Sequence, residues 1–175
     1  MAPTTTLDAP ASAHLANPLA HALATRLEQG ARALIAFAAG LTDAEWRTRT
    51  PKDGRTVGVI VHHVASVYPV EIQLARTVAG GTPVTALTTD DIDAMNGQHA
   101  AEHAAVAKTA TLDLLERNST DAAAAIRGLT DEQLVQVVPV SLYSDAPLTC
   151  QFVLEDHAVR HSCHHLARIR KALKR

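Results

Sequence analysis

The phrase Gly-Leu-Thr-Asp occurs twice, at Gly40-Leu41-Thr42-Asp43 and Gly128-Leu129-Thr130-Asp131, each time after a long run with helical periodicity. Glycine stops a helix, and Thr followed three residues later by Glu45 or Gln133 caps a new turn. Punctuation of this kind restricts a chain to helix, stop, short capped turn, irregular stretch and helix again. Two copies suggest two helix pairs assembled with approximate internal symmetry; chance recurrence of a common capping phrase is the other reading.

Residues 1–16, rich in Ala, Pro, Thr and Ser, read as a flexible tail, and residues 17–175 as one domain. Asn17 caps a first helix with Pro18 in its first turn, running through Leu27, Leu34 and Phe37 to Gly40. A second helix starts near Thr56 and contains Pro69, which removes a backbone donor and predicts a kink. After Gly80-Gly81-Thr82-Pro83, capping residues at Thr88–Asp91 open a third helix expected to reach about Asn118, with an alanine-rich segment continuing or restarting it to Arg127. Val135–Tyr143 alternates enough for a short extended or hairpin-like connection, and the last helix begins near Thr149. The expected fold is all-α, a four-helix bundle.

Ten histidines stand in 175 residues, and four of them, His157, His161, His164 and His165, crowd the last helix. At 100° per residue they form one face beside an apolar arc of Phe152, Val159, Cys163, Leu166, Ile169 and Leu173. The i, i+4 pair His161 and His165 lies nearest that arc and can address one ion in a bundle interior, while His157 and His164 sit further round. Cys163 is expected as a small core residue. A third ligand should come from another element. In the second helix His63 falls in the stripe Val59, Ile60, Val67, Val70 and Leu74, with His62 at its edge. Three neutral imidazoles leave positions open for water or substrate. Ordinary hydrogen-bonded histidines without metal are the alternative. His99 and His103 form a rival i, i+4 pair in the third helix, able to line the pocket, bind metal themselves or serve as core residues; His99 or Asn96 is the expected pocket contact.

Thr56-Val57-Gly58 followed by His63, with the later His161-Ser162-Cys163-His164-His165, resembles the DinB/YfiT-like superfamily of four-helix-bundle metalloproteins, over about Pro18 to Leu173. The resemblance implies that His63, His161 and His165 bind a divalent ion, zinc or nickel. It also implies an activity within a range from S-transferases and isomerases that use a low-molecular-weight thiol to proteins with none known, and a homodimer. Arg55 stands where an aromatic often precedes the second-helix motif, and Ala167-Arg168 replaces a frequent Gly-Gln pair.

Composition narrows the function classes. A formal net charge of −2 gives no basic footprint for nucleic acid or anionic membrane. No apolar run of about 20 residues and no leader-like N-terminus are visible, so a cytoplasmic protein is expected. The reading is a metal-dependent enzyme acting on a small molecule, by thiol S-transfer or hydrolysis, with a non-catalytic metal- or ligand-binding stress protein as the alternative. Arg168, on the histidine face, can hold an anionic group or simply be a solvated charge near a helix end. Glu71, Glu102, Glu155 and Asp156 are available as bases or partners, and spacing selects none of them.

Overall fold

The computed structural model describes residues 17–175; the tail expected over residues 1–16, with His14, lies outside them. Long helices α1 (Pro18–Ala39), α3 (Val57–Ala79) and α5 (Lys108–Arg127) and a composite last helix form the bundle. The last helix comprises α7 (Cys150–Leu154), a π-helical turn (Glu155–Val159) and α8 (Arg160–Leu173). Helix α5 packs on α1 and α3, and α8 on α1 and α3. Leu23, Leu27, Leu34, Ile60, Leu115, Ile126, Leu154 and Ile169 fill the core. Although α3 is long and apolar enough to cross a membrane by length and composition, most of that stretch is buried inside the bundle.

Both Gly-Leu-Thr-Asp copies form the same local structure. Thr42 and Thr130 each close a capping box, with Glu45 and Gln133, on short helices α2 (Asp43–Trp46) and α6 (Asp131–Val135). The preceding Gly40 and Gly128 have negative φ, so they end their helices without a left-handed residue. Asn17 caps α1 through Ala20 N at 3.0 Å, and its side-chain amide donates to the Leu129 carbonyl, tying the first helix to the second copy.

The motif Thr56-Val57-Gly58 has a packing explanation. Thr56 caps α3 through Val59 N, 3.3 Å away, and a Cβ on Gly58 would lie 2.5 Å from Trp46 Nε1. Only glycine lets the indole pass so close, and that indole donates to the Val106 carbonyl at 3.1 Å. Pro69 sits within a continuous α3; the Ala65 carbonyl it leaves without a helical donor receives Asn118 Nδ2 from α5 at 2.8 Å.

Three expectations need correction. The third helix is two: α4 (Thr89–Glu102) ends at His103, and α5 begins at Lys108. Trp46 on the Val106 carbonyl and Lys108 Nζ on the Leu41 carbonyl, at 2.6 Å, pin the intervening turn to the start of the bundle, and these tertiary bonds carry no local sequence signal. The stripe of Ile92 and Met95 with the histidines therefore faces no core, and Met95 is exposed. Cys163 is exposed beside α1, where a Cβ on Gly30 would come 3.0 Å from its Sγ, and Phe152 is also exposed. Both lie near the margin of the arc, and the π turn lies between Phe152 and the α8 part of it.

The extended connection is a hairpin, with β1 (Val137–Val140) antiparallel to β2 (Ala146–Thr149) and Val138 opposite Leu148. Ser144 and Asp145 take positive φ in its turn, and Thr149 caps α7 as expected. Val84 bonds β1 through Pro139 O and Ser141 N, which brings the segment before α4 over the cavity described next.

Candidate metal centre

Helix α3 runs past the last helix so that His63 meets His161 and His165. One nitrogen from each lies within 4.8 Å of the others, close enough to share an ion. His63 Nε2 and His161 Nε2 are 3.3 Å apart, and His161 and His165 stack with centroids at 4.7 Å. Two nitrogens bound tetrahedrally at Zn–N lengths lie about 3.3 Å apart, so this edge already fits a bound ion. Tyr68 of α3 and Ser162 of α8, both fully buried, share a 2.7 Å hydrogen bond that sets the register of the two helices beside the trio.

Burial, then the neighbouring His161, pushes His63 down to about 3. The same causes hold His165 well below the ordinary imidazole range. Neutral imidazole is the form that ligates metal. Glu71, one turn past Tyr68 and buried, places Oε1 2.5 Å from His161 Nδ1. A carboxylate there holds the proton on Nδ1 and leaves Nε2 free, facing His63. Glu71 is the carboxylate that spacing did not select, yet a signal existed: it is the one acidic residue of α3.

A cavity of about 310 Å³ adjoins the trio. Val67, Val70 and Leu74 of α3, Ile92 and Met95 of α4, and Leu87 and Leu142 make its apolar wall, so part of the predicted α3 stripe lines a pocket instead of the core. Of the two candidate contacts from α4, Asn96 lines it, and His99 turns to His62, with its Nε2 2.9 Å from His62 Nδ1. His157 also lines it, half-buried, because the π turn offsets residues before His161 by up to about 100° from the regular helical wheel. Tyr143 anchors that turn, its hydroxyl bonded to Asp156 and 3.2 Å from His157 Nε2. His164 is exposed at the rim.

Arg55 and Arg168 meet at the cavity mouth. Asp53 Oδ2 receives Arg55 Nη2 at 2.8 Å and Arg168 Nη2 at 3.1 Å. Burial opposes charge on Asp53, but the Arg55 hydrogen bonds outweigh it and hold the carboxyl below its usual range. A larger concavity of about 570 Å³, lined by Lys52, Lys171 and Lys174, opens on the far side of His164 and Arg168 and contains none of the converging imidazoles.

Among the described residues, four buried side-chain polar atoms have no hydrogen-bond partner: Arg55 Nη1, Glu71 Oε2, His99 Nδ1 and His165 Nδ1. All belong to this site or its immediate neighbours. Buried polar atoms are otherwise almost always satisfied, so these four are exceptions gathered in one place.

A profile of the DinB superfamily matches residues 26–169. The chain belongs to the DinB superfamily. Comparison with curated proteins yields no match. Among solved structures, the DinB-like fold is similar to YfiT from Bacillus subtilis, with a TM-score of 0.69 and 20% identity over 99% of this chain and 92% of that one. YfiT is described as a probable metal-dependent hydrolase with an unusual four-helix bundle topology. As a DinB-like bundle, the chain has the fold its motifs predicted, with three imidazoles that could hold a metal ion at the junction of α3 and α8.

Proposed function

We propose that this DinB-like chain is a metal-dependent enzyme that binds one divalent ion through His63, His161 and His165 and acts on a small anionic molecule in the adjoining cavity. The observation that carries the reading is the convergence of three imidazole nitrogens within 4.8 Å, one of them oriented by Glu71, beside a cavity rather than inside a closed shell. The residues fit zinc or nickel: three nitrogen donors, an oriented tautomer and an unpartnered His165 Nδ1.

When bound, such an ion supplies Lewis acidity and lowers the pKa of water or a small thiol beside it. The chain supplies the rest. Glu71 keeps His161 in the ligating tautomer, and the apolar wall from Val67 to Leu142 excludes water around the substrate's stem. Arg55 Nη1 and Arg168 present guanidinium donors to a carboxylate or phosphate group. Tyr143 and Asp156 hold the π turn, so that His157 can exchange a proton at the cavity edge.

Likeness to YfiT favours water as the nucleophile. The paired guanidiniums at the mouth favour the second reading, a carboxylate-bearing low-molecular-weight thiol as cosubstrate. The test is a screen of carboxylate-bearing esters, amides and electrophiles, with and without thiols, on zinc- or nickel-loaded untagged protein. Turnover lost in a His63→Ala, His161→Ala double variant that also carries one metal equivalent less than the parent supports the proposal. Equal metal content in both proteins sinks it.

A further inference from the structure

Helix α4 has 14 residues and buries none of them, although its Ile92, Met95 and Asn96 form one side of the cavity. Ordering such a segment costs on the order of 1 kcal/mol or more per residue, and apolar burial does not offset it here. What α4 does bring to α3 is imidazole. His99 Nε2 lies 2.9 Å from His62 Nδ1 and 3.2 Å from Ser66 Oγ. The His62 and His103 rings have centroids 4.1 Å apart, and those of His99 and His103 4.7 Å.

We infer that His62, His99 and His103 form a second divalent-metal site, distinct from the His63 site, whose ion clamps α4 onto α3 and completes the cavity wall. One nitrogen from each of the three half-buried residues falls within 4.8 Å of the others. Nitrogens on adjacent corners of a coordination shell with Zn–N bonds lie about 3.0–3.4 Å apart, close to the His62–His99 separation. The adjacent residues His62 and His63 face directions about 100° apart on α3, so each trio takes one of them.

The chemistry of the cluster favours a cation over a simple hydrogen-bonded stack. Ser66 Oγ lies 2.8 Å from the His62 carbonyl and 3.1 Å from that of His63, so its single proton is directed to the backbone. His99 Nδ1 is buried with no partner. Three imidazoles with one hydroxyl or a water as fourth donor suit zinc, copper, nickel or cobalt.

The test is a calorimetric titration with Zn²⁺ near neutral pH of four untagged, chelator-treated proteins: parent, His103→Ala, His103→Asn, and a His161→Ala, His165→Ala double variant, each checked for helical content. Two equivalents are expected in the parent and one in each of the others. Zinc should also slow amide exchange across Thr89–Glu102 in the parent and the double variant but in neither His103 variant. One equivalent in the parent, lost in the double variant and kept in both His103 variants, overturns the second site and leaves the His63 site standing. One equivalent that only the His103 variants lose supports this site and removes the other. Two equivalents retained in both His103 variants overturn the assignment.

Discussion

Glu71 Oε1 and His161 Nδ1 lie 2.5 Å apart, joining a carboxylate in the middle of α3 to an imidazole one residue into α8. That contact decides which nitrogen of His161 faces His63. In Glu71→Gln the amide still fills the space but no longer favours one tautomer, so affinity at the His63 site is expected to fall about 10–100-fold with the helical content unchanged. Competition with a chromophoric chelator measures it, and unchanged affinity would remove Glu71 from the site.

The metal-free chain should lose stability on mild acidification. His63 is held at about 3 against an ordinary 6.5, and His99 at about 4, so the unfolded chain binds more protons than the folded one below pH ~6.5. The contribution is complete above that value and declines as pH falls toward the folded-state values. For His63 alone the loss between about pH 7 and pH 5 is on the order of 2 kcal/mol. Urea denaturation of chelator-treated protein at the two pH values reads it directly; a flat profile would mean that these imidazoles are not buried neutral.

Gly58→Ala places a methyl group 2.5 Å from Trp46 Nε1. The indole must move, and its bond to the Val106 carbonyl, which holds the α4–α5 turn, is strained or lost. Destabilisation of about 1–3 kcal/mol is expected, seen as a Tm several degrees lower. Adding Trp46→Leu should make the pair of substitutions cost less than the sum of the two alone; strict additivity would mean that the indole is not the obstacle.

Much of the bundle was legible because its signals are local. Asn17-Pro18, the two Thr capping boxes and Thr149 each mark an element boundary through bonds spanning three residues, and periodicity placed His63, His161 and His165 on facing sides. What escaped depends on partners distant in sequence. The break at His103 is held by Trp46 and Leu41, some 60 residues away, and Glu71 became a partner only once α8 crossed α3. The π turn escaped because a regular 100° wheel has no place for an extra residue, and it is what moves His157 to the cavity and leaves Phe152 exposed. Arg55 and Arg168 were legible singly, and Asp53, which joins them, was not.

Pro69 and Asn118 should be energetically coupled. Pro69 cannot donate to the Ala65 carbonyl, and that carbonyl, in a fully buried residue, is satisfied by Asn118 Nδ2 at 2.8 Å. In the parent, Asn118→Ala strands a buried acceptor and is expected to cost about 1–3 kcal/mol. In a Pro69→Ala background the alanine N–H can make the helical bond itself, and the same substitution should cost markedly less. A double-mutant cycle by chemical denaturation would then give a coupling of about 1 kcal/mol between two side chains that need not touch. A coupling near zero would show that the Ala65 carbonyl is satisfied another way, and Asn118 would be reduced to one more polar residue on the outer face of α5.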